Sequence, residues 1–187
     1  MKSNWIADLA HSSLSFHIKY LNISVVTGFL QSFELNLQTS GDGFGDVSNL
    51  LLTADIASLT TNHQARDKHL QSMDFFDVEN HPSLKFEGIS FEKQGLVPPS
   101  ILSVYRKDYK LRGNLTIKGT CKPVTLDGEF GGLATDSTRQ KRAGFTFRGK
   151  ISRKEFGLTW DAVADSGKLI LADQVDIIGN LQLIRID

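Results

Sequence analysis

Apolar and polar residues alternate along most of this chain of 187 residues, and this pattern limits the folds open to it. Leu14, Phe16 and Ile18 are separated by single polar residues, which is the period of a strand with one buried face. Between residues 25 and 39 the apolar side chains fall mostly on odd positions, which predicts a single long strand. A long strand favours a twisted barrel over a flat sheet.

The alternation changes phase at Gly88, since Leu84 and Phe86 share one parity whereas Ile89 and Phe91 share the other. Such a change at a glycine predicts a β-bulge. The polar residues 131–142 predict a solvated loop. Further alternating segments bring the total to about eight strands, and an antiparallel barrel closes that many without unpaired edges. We therefore predict an all-β chain folded as an extended antiparallel barrel of roughly eight strands.

Residues 61–86 interrupt the strand pattern. Thr61 and Gln64 have the spacing of a capping box, and helix-forming residues follow, so we predict a short helical insert at about residues 62–80. In one interpretation the insert is a lid or plug whose Phe75 and Phe76 point at the core. In the other it is a plain connection with two ordinary core phenylalanines. Both predict that Phe75 and Phe76 are buried, and we expect Lys68 and Gln71 to face water.

The composition is consistent with one domain over residues 1–187. Lys plus Arg and Asp plus Glu each number 21, so no net field attracts nucleic acid or an anionic membrane. The 12 Phe suit a dry interior, because a buried phenylalanine needs no hydrogen-bond partner. Cys121 is the only cysteine, which excludes an internal disulfide. No apolar run reaches the length of a membrane span.

The start of the sequence has no basic segment followed by an apolar one, which is the pattern of a secretory signal. We therefore expect a cytoplasmic protein if residue 1 is the natural start. A periplasmic protein is expected if the start was trimmed.

No catalytic or metal-binding pattern stands out. His63 and His69 are six residues apart, which is the wrong spacing for two ligands on one helical face. No cysteine that could complete a metal site lies near these two residues or His81 in the sequence. Ser12 and Ser13 lie beside His11, but no glycine-flanked elbow surrounds them. The sequence predicts neither an enzyme nor a metal site.

Several segments together resemble one known family. They are WIAD…HSSLSF at 5–16, RDxHLxSxDFFDV at 66–78 followed by HPSLKF at 81–86, GNLTIKGTCKPV at 113–124, ISRKEFGL at 151–158 and DQVDI at 173–177. Their order and span resemble the YceI-like family of lipocalin-like β-barrels. His81 stands where that family usually has an aromatic residue such as Tyr.

The resemblance implies a lipocalin-like barrel that binds a long-chain amphiphilic lipid without a covalent bond and is often a homodimer. The lipid would be an isoprenoid quinone, a polyprenyl compound or a fatty-acid-like molecule, held for carriage, storage or sensing. No cofactor is implied. The alternative is a filled barrel that acts as a protein-interaction or stress-response module. Its recognition surfaces would be the 131–142 loop and the helical insert.

Candidate residues for lining a lipid tunnel follow from strand parity and aromatic content. They are Phe16, Ile18, Phe29, Phe33, Leu35, Leu52, Ile56, Phe75, Phe76, Phe86, Leu115, Ile117, Phe145, Phe147, Phe156 and Trp160. For each of them an ordinary core position is the competing interpretation. Arg66, His69, Arg153 and Trp160 are candidates for contact with a polar head group at the mouth.

Overall fold

The computed structural model describes residues 2–41, 44–94, 109–163 and 170–187. The strands are β1 Lys2–Ala7, β2 Ser13–Tyr20, β3 Ser24–Leu30, β4 Phe33–Ser40, β5 Val47–Asp55, β6 Leu59–Thr60, β7 Ser83–Lys93, β8 Tyr109–Ile117, β9 Thr120–Thr135, β10 Lys141–Ser152 and β11 Leu171–Arg185. Within these residues the α-helix is α1 Gln64–Gln71, and short 3-10 helices occupy Leu9–His11, Ile56–Ser58 and Lys154–Phe156.

Eight strands form a closed antiparallel barrel in the order β1-β4-β5-β7-β8-β9-β10-β11. The ring closes where β1 pairs with β11, with Trp5 opposite Arg185. Closure removes the unpaired edges that an open sheet would expose. The predicted all-β antiparallel barrel is therefore confirmed.

The remaining strands continue the sheet at one end of the barrel. β11 pairs with β2 along its first part, as at Val175 and Ile18, and with β1 along its last part, as at Leu183 and Ala7. β3 then pairs with β2, and β6 pairs with β3. The wall is thus extended by β2, β3 and β6 beyond the point at which β1 closes the ring.

The predicted single strand over residues 25–39 is wrong. The chain forms β3 and β4, which pair with different partners, β2 and β1, and it is interrupted between Leu30 and Phe33. The interruption changes which parity faces inward, because Phe33 is buried whereas Phe29 is 37% exposed. The odd–even pattern of the sequence therefore could not predict which side chains of β3 face the inside of the barrel.

The β-bulge predicted at Gly88 is confirmed by a register shift between Gly88 and Ser90 in the pairing of β7 with β8. The predicted loop at 131–142 is wrong, because β9 runs to Thr135 and β10 begins at Lys141. The Asp136 side chain accepts hydrogen bonds from the backbone N–H groups of Thr138 and Gln140, at 2.8 and 3.0 Å, and so forms a tight turn. The polar composition of this segment reflects exposed strand ends. The sequence alternation also predicts a long strand over residues 101–118. Its first part, residues 101–108, lies outside the described residues, and β8 confirms the rest up to Ile117.

Aromatic rings fill the barrel near the β4–β5 turn, and we call this region the aromatic end (Trp5, Phe44, Phe91, Tyr109, Phe130 and Phe145). The Phe145 centroid is 4.8 Å from that of Phe44 and 4.9 Å from that of Phe130. Phe91 stacks on Tyr109 with 4.6 Å between centroids. Contacts of this kind give the density of an ordinary core.

The helical insert lies at the opposite end, between β6 and β7. Its helix, Gln64–Gln71, is shorter than the predicted 62–80. The helix is capped by His63, whose Nδ1 accepts a hydrogen bond from the backbone N–H of Arg66 at 3.2 Å, so the predicted cap at Thr61 is wrong. The Thr61 hydroxyl is engaged elsewhere, since it donates to the Asp67 carboxylate.

Lys68 and Gln71 were both expected to face water, but only Lys68 does. Lys68 is exposed, as predicted. Gln71 is half-buried, and its side-chain amide donates to the carbonyl of Ala57 at 3.1 Å. This bond connects α1 to the 3-10 helix before β6, and it holds the Gln71 side chain against the protein and partly out of the solvent.

Candidate functional site

A cavity of about 540 Å³ lies inside the barrel between the aromatic end and the helical insert. This volume falls within the range of about 300–1,000 Å³ that is usual for small-molecule sites. Strands β2, β3 and β5–β11 contribute to its wall, and α1 and the residues after it contribute to its mouth. The barrel is therefore filled at one end and hollow at the other.

Many of the predicted tunnel residues line this cavity. They are Phe16, Ile18, Leu52, Phe75, Phe76, Phe86, Leu115, Ile117, Phe147 and Trp160, together with the predicted head-group residues Arg66, His69 and Arg153. Phe75 is buried, as both interpretations of the insert predicted, whereas Phe76 is only half-buried. Whether any of these residues binds a ligand stays a prediction.

The other predicted residues do not line the cavity. Phe29 lies on the outer face of β3, while Phe33, Leu35, Phe145 and Phe156 belong to the packed core. Ile56 is buried in the 3-10 helix before β6. Apart from Phe29, for which the β3–β4 break reverses the inward parity, strand parity separates the inside of the barrel from the outside. It does not separate the filled half of the inside from the hollow half.

Sequence reasoning missed much of the aliphatic lining. Val175, Ile177 and Leu181 of β11 line the cavity and alternate along one face, so parity alone was sufficient to find them. Choosing candidates by aromatic content passed over them. Leu59 and Leu158 also line the cavity but lie in segments without alternation, where no sequence signal marks them.

The polar lining is sparse and contains no carboxylate among the described residues. Its polar groups come from Ser15, Ser24, Arg66, His69 and Arg153, together with the Tyr20 hydroxyl and the Trp160 indole N–H. A carboxylate is the group that would best offset the charge of a buried cationic ligand, and the described wall offers none. The cavity therefore suits an apolar chain with a neutral or anionic polar end.

Arg153 is 2% exposed, and its guanidinium is used to hold the connection between β10 and β11. Its Nη1 donates to the carbonyls of Leu158 and Trp160 at 2.6 and 2.7 Å. Nε donates to Ala172, and Nη2 donates to Leu171 and to the Asp161 carboxylate. These bonds use all five N–H groups of an arginine. Arg153 thus has a structural role, and the prediction that it contacts a head group gains no support.

Arg66 differs from Arg153, because only part of its guanidinium is engaged. Nε donates to the Thr61 hydroxyl at 2.7 Å, and Nη2 donates to the Thr61 carbonyl at 2.9 Å. Nη1 has no acceptor within the part of the chain that the structure describes. Arg66 lines the cavity, so a fixed cation with free donors lies at the mouth.

Asp67 holds the same region in place. Its carboxylate accepts hydrogen bonds from the Thr61 backbone N–H at 2.8 Å and from the Thr60 hydroxyl at 3.1 Å, in addition to the Thr61 hydroxyl. Burial raises the pKa of Asp67, but the bonds from Thr61 and Thr60 and the charge of Arg66 outweigh it, and the net pKa is lowered. The ionised carboxylate therefore fixes the start of the insert.

Three rings meet at the mouth, and we call His69, Phe75 and Trp160 the mouth cluster. The His69 ring lies edge-on to both partners, with centroids 5.1 Å from Phe75 and 4.9 Å from Trp160. Its Nε2 is 3.0 Å from the Asp74 carboxylate. The cluster joins α1 and the turn after it to the β10–β11 connection.

Within the described residues, no group of three or more His, Cys, Asp or Glu is placed to hold a metal ion. Across the same residues, no helix has the length and apolar character needed to cross a membrane.

Comparison with known proteins decides the family. The family model of the YceI-like domain matches residues 5–183. The chain belongs to the YceI-like family. This YceI-like chain is also 36% identical over 151 residues to a UPF0312 protein of Serratia proteamaculans, a match that covers 81% of the chain and 72% of the relative.

Solved structures agree with this assignment. The Campylobacter jejuni YCEI protein is 28% identical, with a TM-score of 0.72 and a match that covers 91% of each chain. A polyisoprenoid binding domain from Saccharophagus degradans is 13% identical, with a TM-score of 0.62 and a match over 97% of this chain and 98% of that domain. At that identity the second likeness concerns the fold alone.

Proposed function

We propose that this YceI-like protein binds one long-chain amphiphilic lipid, without a covalent bond, in the cavity between its aromatic end and its helical insert. The observation that carries the proposal is an apolar cavity of about 540 Å³ in a barrel that is otherwise packed. A cavity lined by aliphatic and aromatic side chains excludes ligands with many polar groups. It favours an apolar chain, which gains about 25 cal/mol for each Å² removed from water.

The ligand class is an isoprenoid quinone, a polyprenyl compound or a fatty-acid-like molecule. Each of these has a long tail without hydrogen-bonding groups and a single polar end. The family assignment supports this class, and the description of the Saccharophagus degradans domain as polyisoprenoid binding is in keeping with it.

The polar end of the ligand lies at the mouth, next to Arg66 and His69. Arg66 supports this placement because its Nη1 has no acceptor among the described residues, while its other nitrogens are fixed by Thr61. The lack of a carboxylate in the described lining favours a neutral or anionic end over a cationic one.

The role is binding rather than catalysis, for carriage, storage or sensing of the lipid. The polar groups of the lining support this, because no serine of the described lining is hydrogen-bonded to a histidine or a carboxylate. Homodimer formation, a stress-response role and the compartment stay predictions of the sequence.

The alternative of a filled barrel that serves as an interaction module fits the aromatic end but not the cavity. Its proposed 131–142 recognition loop is largely strand. Lipid binding is therefore the stronger proposal.

Native mass spectrometry of the purified protein tests the proposal. We expect a bound mass that is released on denaturation and extracts into organic solvent. Protein stripped of this lipid should bind an isoprenoid quinone or a long-chain fatty acid on titration. A ligand-free spectrum with no binding of a quinone, a polyprenyl phosphate or a fatty acid would contradict it.

A further inference from the structure

The turn between β2 and β3 presents an exposed apolar tip, which we define as residues 20–25. Ile23 is 84% exposed and Val25 57%, and Tyr20 and Leu21 are also exposed. Single exposed apolar residues are common on protein surfaces, but a contiguous group usually marks an interaction site. The tip needs an explanation beyond folding.

The backbone of the tip is also unusual. Leu21 and Asn22 have φ angles of 53° and 59°, in the left-handed region. Hairpin turns of this type favour glycine, asparagine and aspartate, and a leucine there is strained. A strained turn that carries a partly exposed leucine is unusual, and such strain often accompanies a recognition site.

The tip is part of the cavity mouth. Tyr20 and Ser24, which flank the turn, both line the cavity. The backbone N–H of Leu21 donates to the carbonyl of Ile170 at 2.7 Å, next to Leu171, which is another lining residue. Whatever contacts the tip therefore also contacts the rim of the cavity.

The charge of the hairpin indicates its partner. Residues 9–33 contain no aspartate or glutamate, although the chain has 21 acidic residues in total. Lys19 is exposed beside the tip, on the strand that leads into it. The whole chain has no net charge, but the tip itself is apolar, has a cation beside it and carries no carboxylate within its own hairpin. This local charge is complementary to the surface of an anionic membrane.

We propose that the tip of the β2–β3 hairpin inserts into the interface of an anionic phospholipid membrane and sets the cavity mouth on the bilayer. This proposal rests on the proposed function and extends it. With the mouth on the bilayer, a lipid can pass between bilayer and cavity without crossing water. Membrane binding by the tip is nevertheless measured separately from binding in the cavity.

Flotation with vesicles of phosphatidylethanolamine and phosphatidylglycerol tests the proposal. We expect the wild-type protein to float with these vesicles and to bind phosphatidylcholine vesicles more weakly. The double substitution Leu21→Ser and Ile23→Ser should lower the partition coefficient about tenfold, because it removes two inserted aliphatic side chains. Ile89→Ser is the matched control, because Ile89 is 68% exposed on β7 and does not line the cavity. It should leave flotation unchanged.

Titration with parinaric acid, a fluorescent fatty acid, separates the two proposals. The tip variant should bind it as the wild type does, which shows that the fold and the cavity are intact. If the wild type floats but binds no parinaric acid, quinone or polyprenyl phosphate, the cavity proposal fails while membrane docking stands. Docking is overturned if the wild type does not float, or if the tip variant floats as well as Ile89→Ser. It is also overturned if light scattering shows that the tip variant turns a dimer into a monomer without a change in flotation.

Discussion

His69 and Trp160 meet edge to face across the mouth of the cavity, with 4.9 Å between ring centroids and 89° between ring planes. His69 belongs to α1, whereas Trp160 belongs to the connection between β10 and β11. The contact therefore joins two segments far apart in sequence at the point where a ligand would enter. The helical insert therefore lies at the mouth and is packed against the barrel, so it is not a separate lid.

Replacing Trp160 with alanine should speed ligand release. The substitution removes ring contacts to both His69 and Phe75, which lie 4.9 and 5.2 Å from it. Since aromatic pairs contribute about 0.5–1.5 kcal/mol each, we expect the dissociation rate of parinaric acid to rise about tenfold. Stopped-flow fluorescence measures this rate. Met73→Ala, in the same insert but 76% exposed and outside the cavity, should leave it unchanged. Equal rates for Trp160→Ala and the wild type would show that the cluster does not restrict exit.

Replacing Phe75 with alanine should lower the free energy of unfolding by about 3 kcal/mol, the usual cost of deleting a buried ring. Phe75 is 5% exposed and packs against His69 and Trp160. Urea denaturation measures the change. Met73→Ala should change stability by less than about 0.5 kcal/mol, because it removes an exposed side chain. A small loss for Phe75→Ala combined with faster lipid release would favour the lid interpretation over the core interpretation.

Replacing Arg153 with lysine should destabilise the protein by about 3 kcal/mol, although the charge is kept. Lysine cannot reproduce the bonds that Arg153 makes to Asp161 and to the surrounding carbonyls. Lys150→Met is the control, because Lys150 and Asp176 form an exposed ion pair at 3.3 Å. That change should cost less than about 1 kcal/mol in thermal or urea unfolding. Similar losses for both variants would mean that Arg153 does not organise the β10–β11 connection.

Asp67 should make stability depend on pH. Its pKa is lowered in the folded protein, because the bonds from Thr61 and Thr60 and the charge of Arg66 outweigh the effect of burial. A lowered pKa stabilises the fold above the unfolded value of about 3.9, and this stabilisation is lost as the pH falls through the folded pKa. Asp67→Asn should therefore cost about 1–2 kcal/mol at neutral pH and progressively less below about pH 4.

Urea unfolding of the wild type and Asp67→Asn over this pH range measures the difference. The exposed Glu79→Gln should cost less than about 0.5 kcal/mol at neutral pH. A cost for Asp67→Asn that does not shrink in acid would mean that the ionised carboxylate is not what holds the insert.

The barrel could be predicted from the sequence because alternation reports directly which side of a strand is buried. Leu14, Phe16 and Ile18 alternate as predicted, and the phase change at Gly88 correctly marks a bulge. The prediction failed where long-range pairing decides the structure. Nothing local in residues 25–39 indicates that β3 pairs with β2 while β4 pairs with β1.

The cavity was only partly predictable, for a different reason. Phe145 and Phe147 have the same parity on β10, yet only Phe147 lines the cavity. Phe145 instead meets Phe130, opposite it on β9, and Phe44, which comes from the distant β4–β5 turn. Whether an inward side chain meets a partner or a void depends on rings contributed from across the barrel, and a single strand's pattern does not contain that information.

Filling the cavity tests lipid binding most directly. Leu115 lines it from β8, and tryptophan at this position would occupy the space proposed for the tail. Leu37, on β4 in the packed core and outside the cavity, is the matched site for the same substitution. Overpacking there should cost about 1–3 kcal/mol, whereas Leu115→Trp has room and should cost less.

Native mass spectrometry after quinone and fatty-acid titration compares wild type, Leu115→Trp and Leu37→Trp. We predict bound lipid on the wild type and on folded Leu37→Trp, and clearly weaker binding on folded Leu115→Trp, because the added ring takes up part of the space for the tail. Lipid bound equally to Leu115→Trp and the wild type would contradict binding in the cavity.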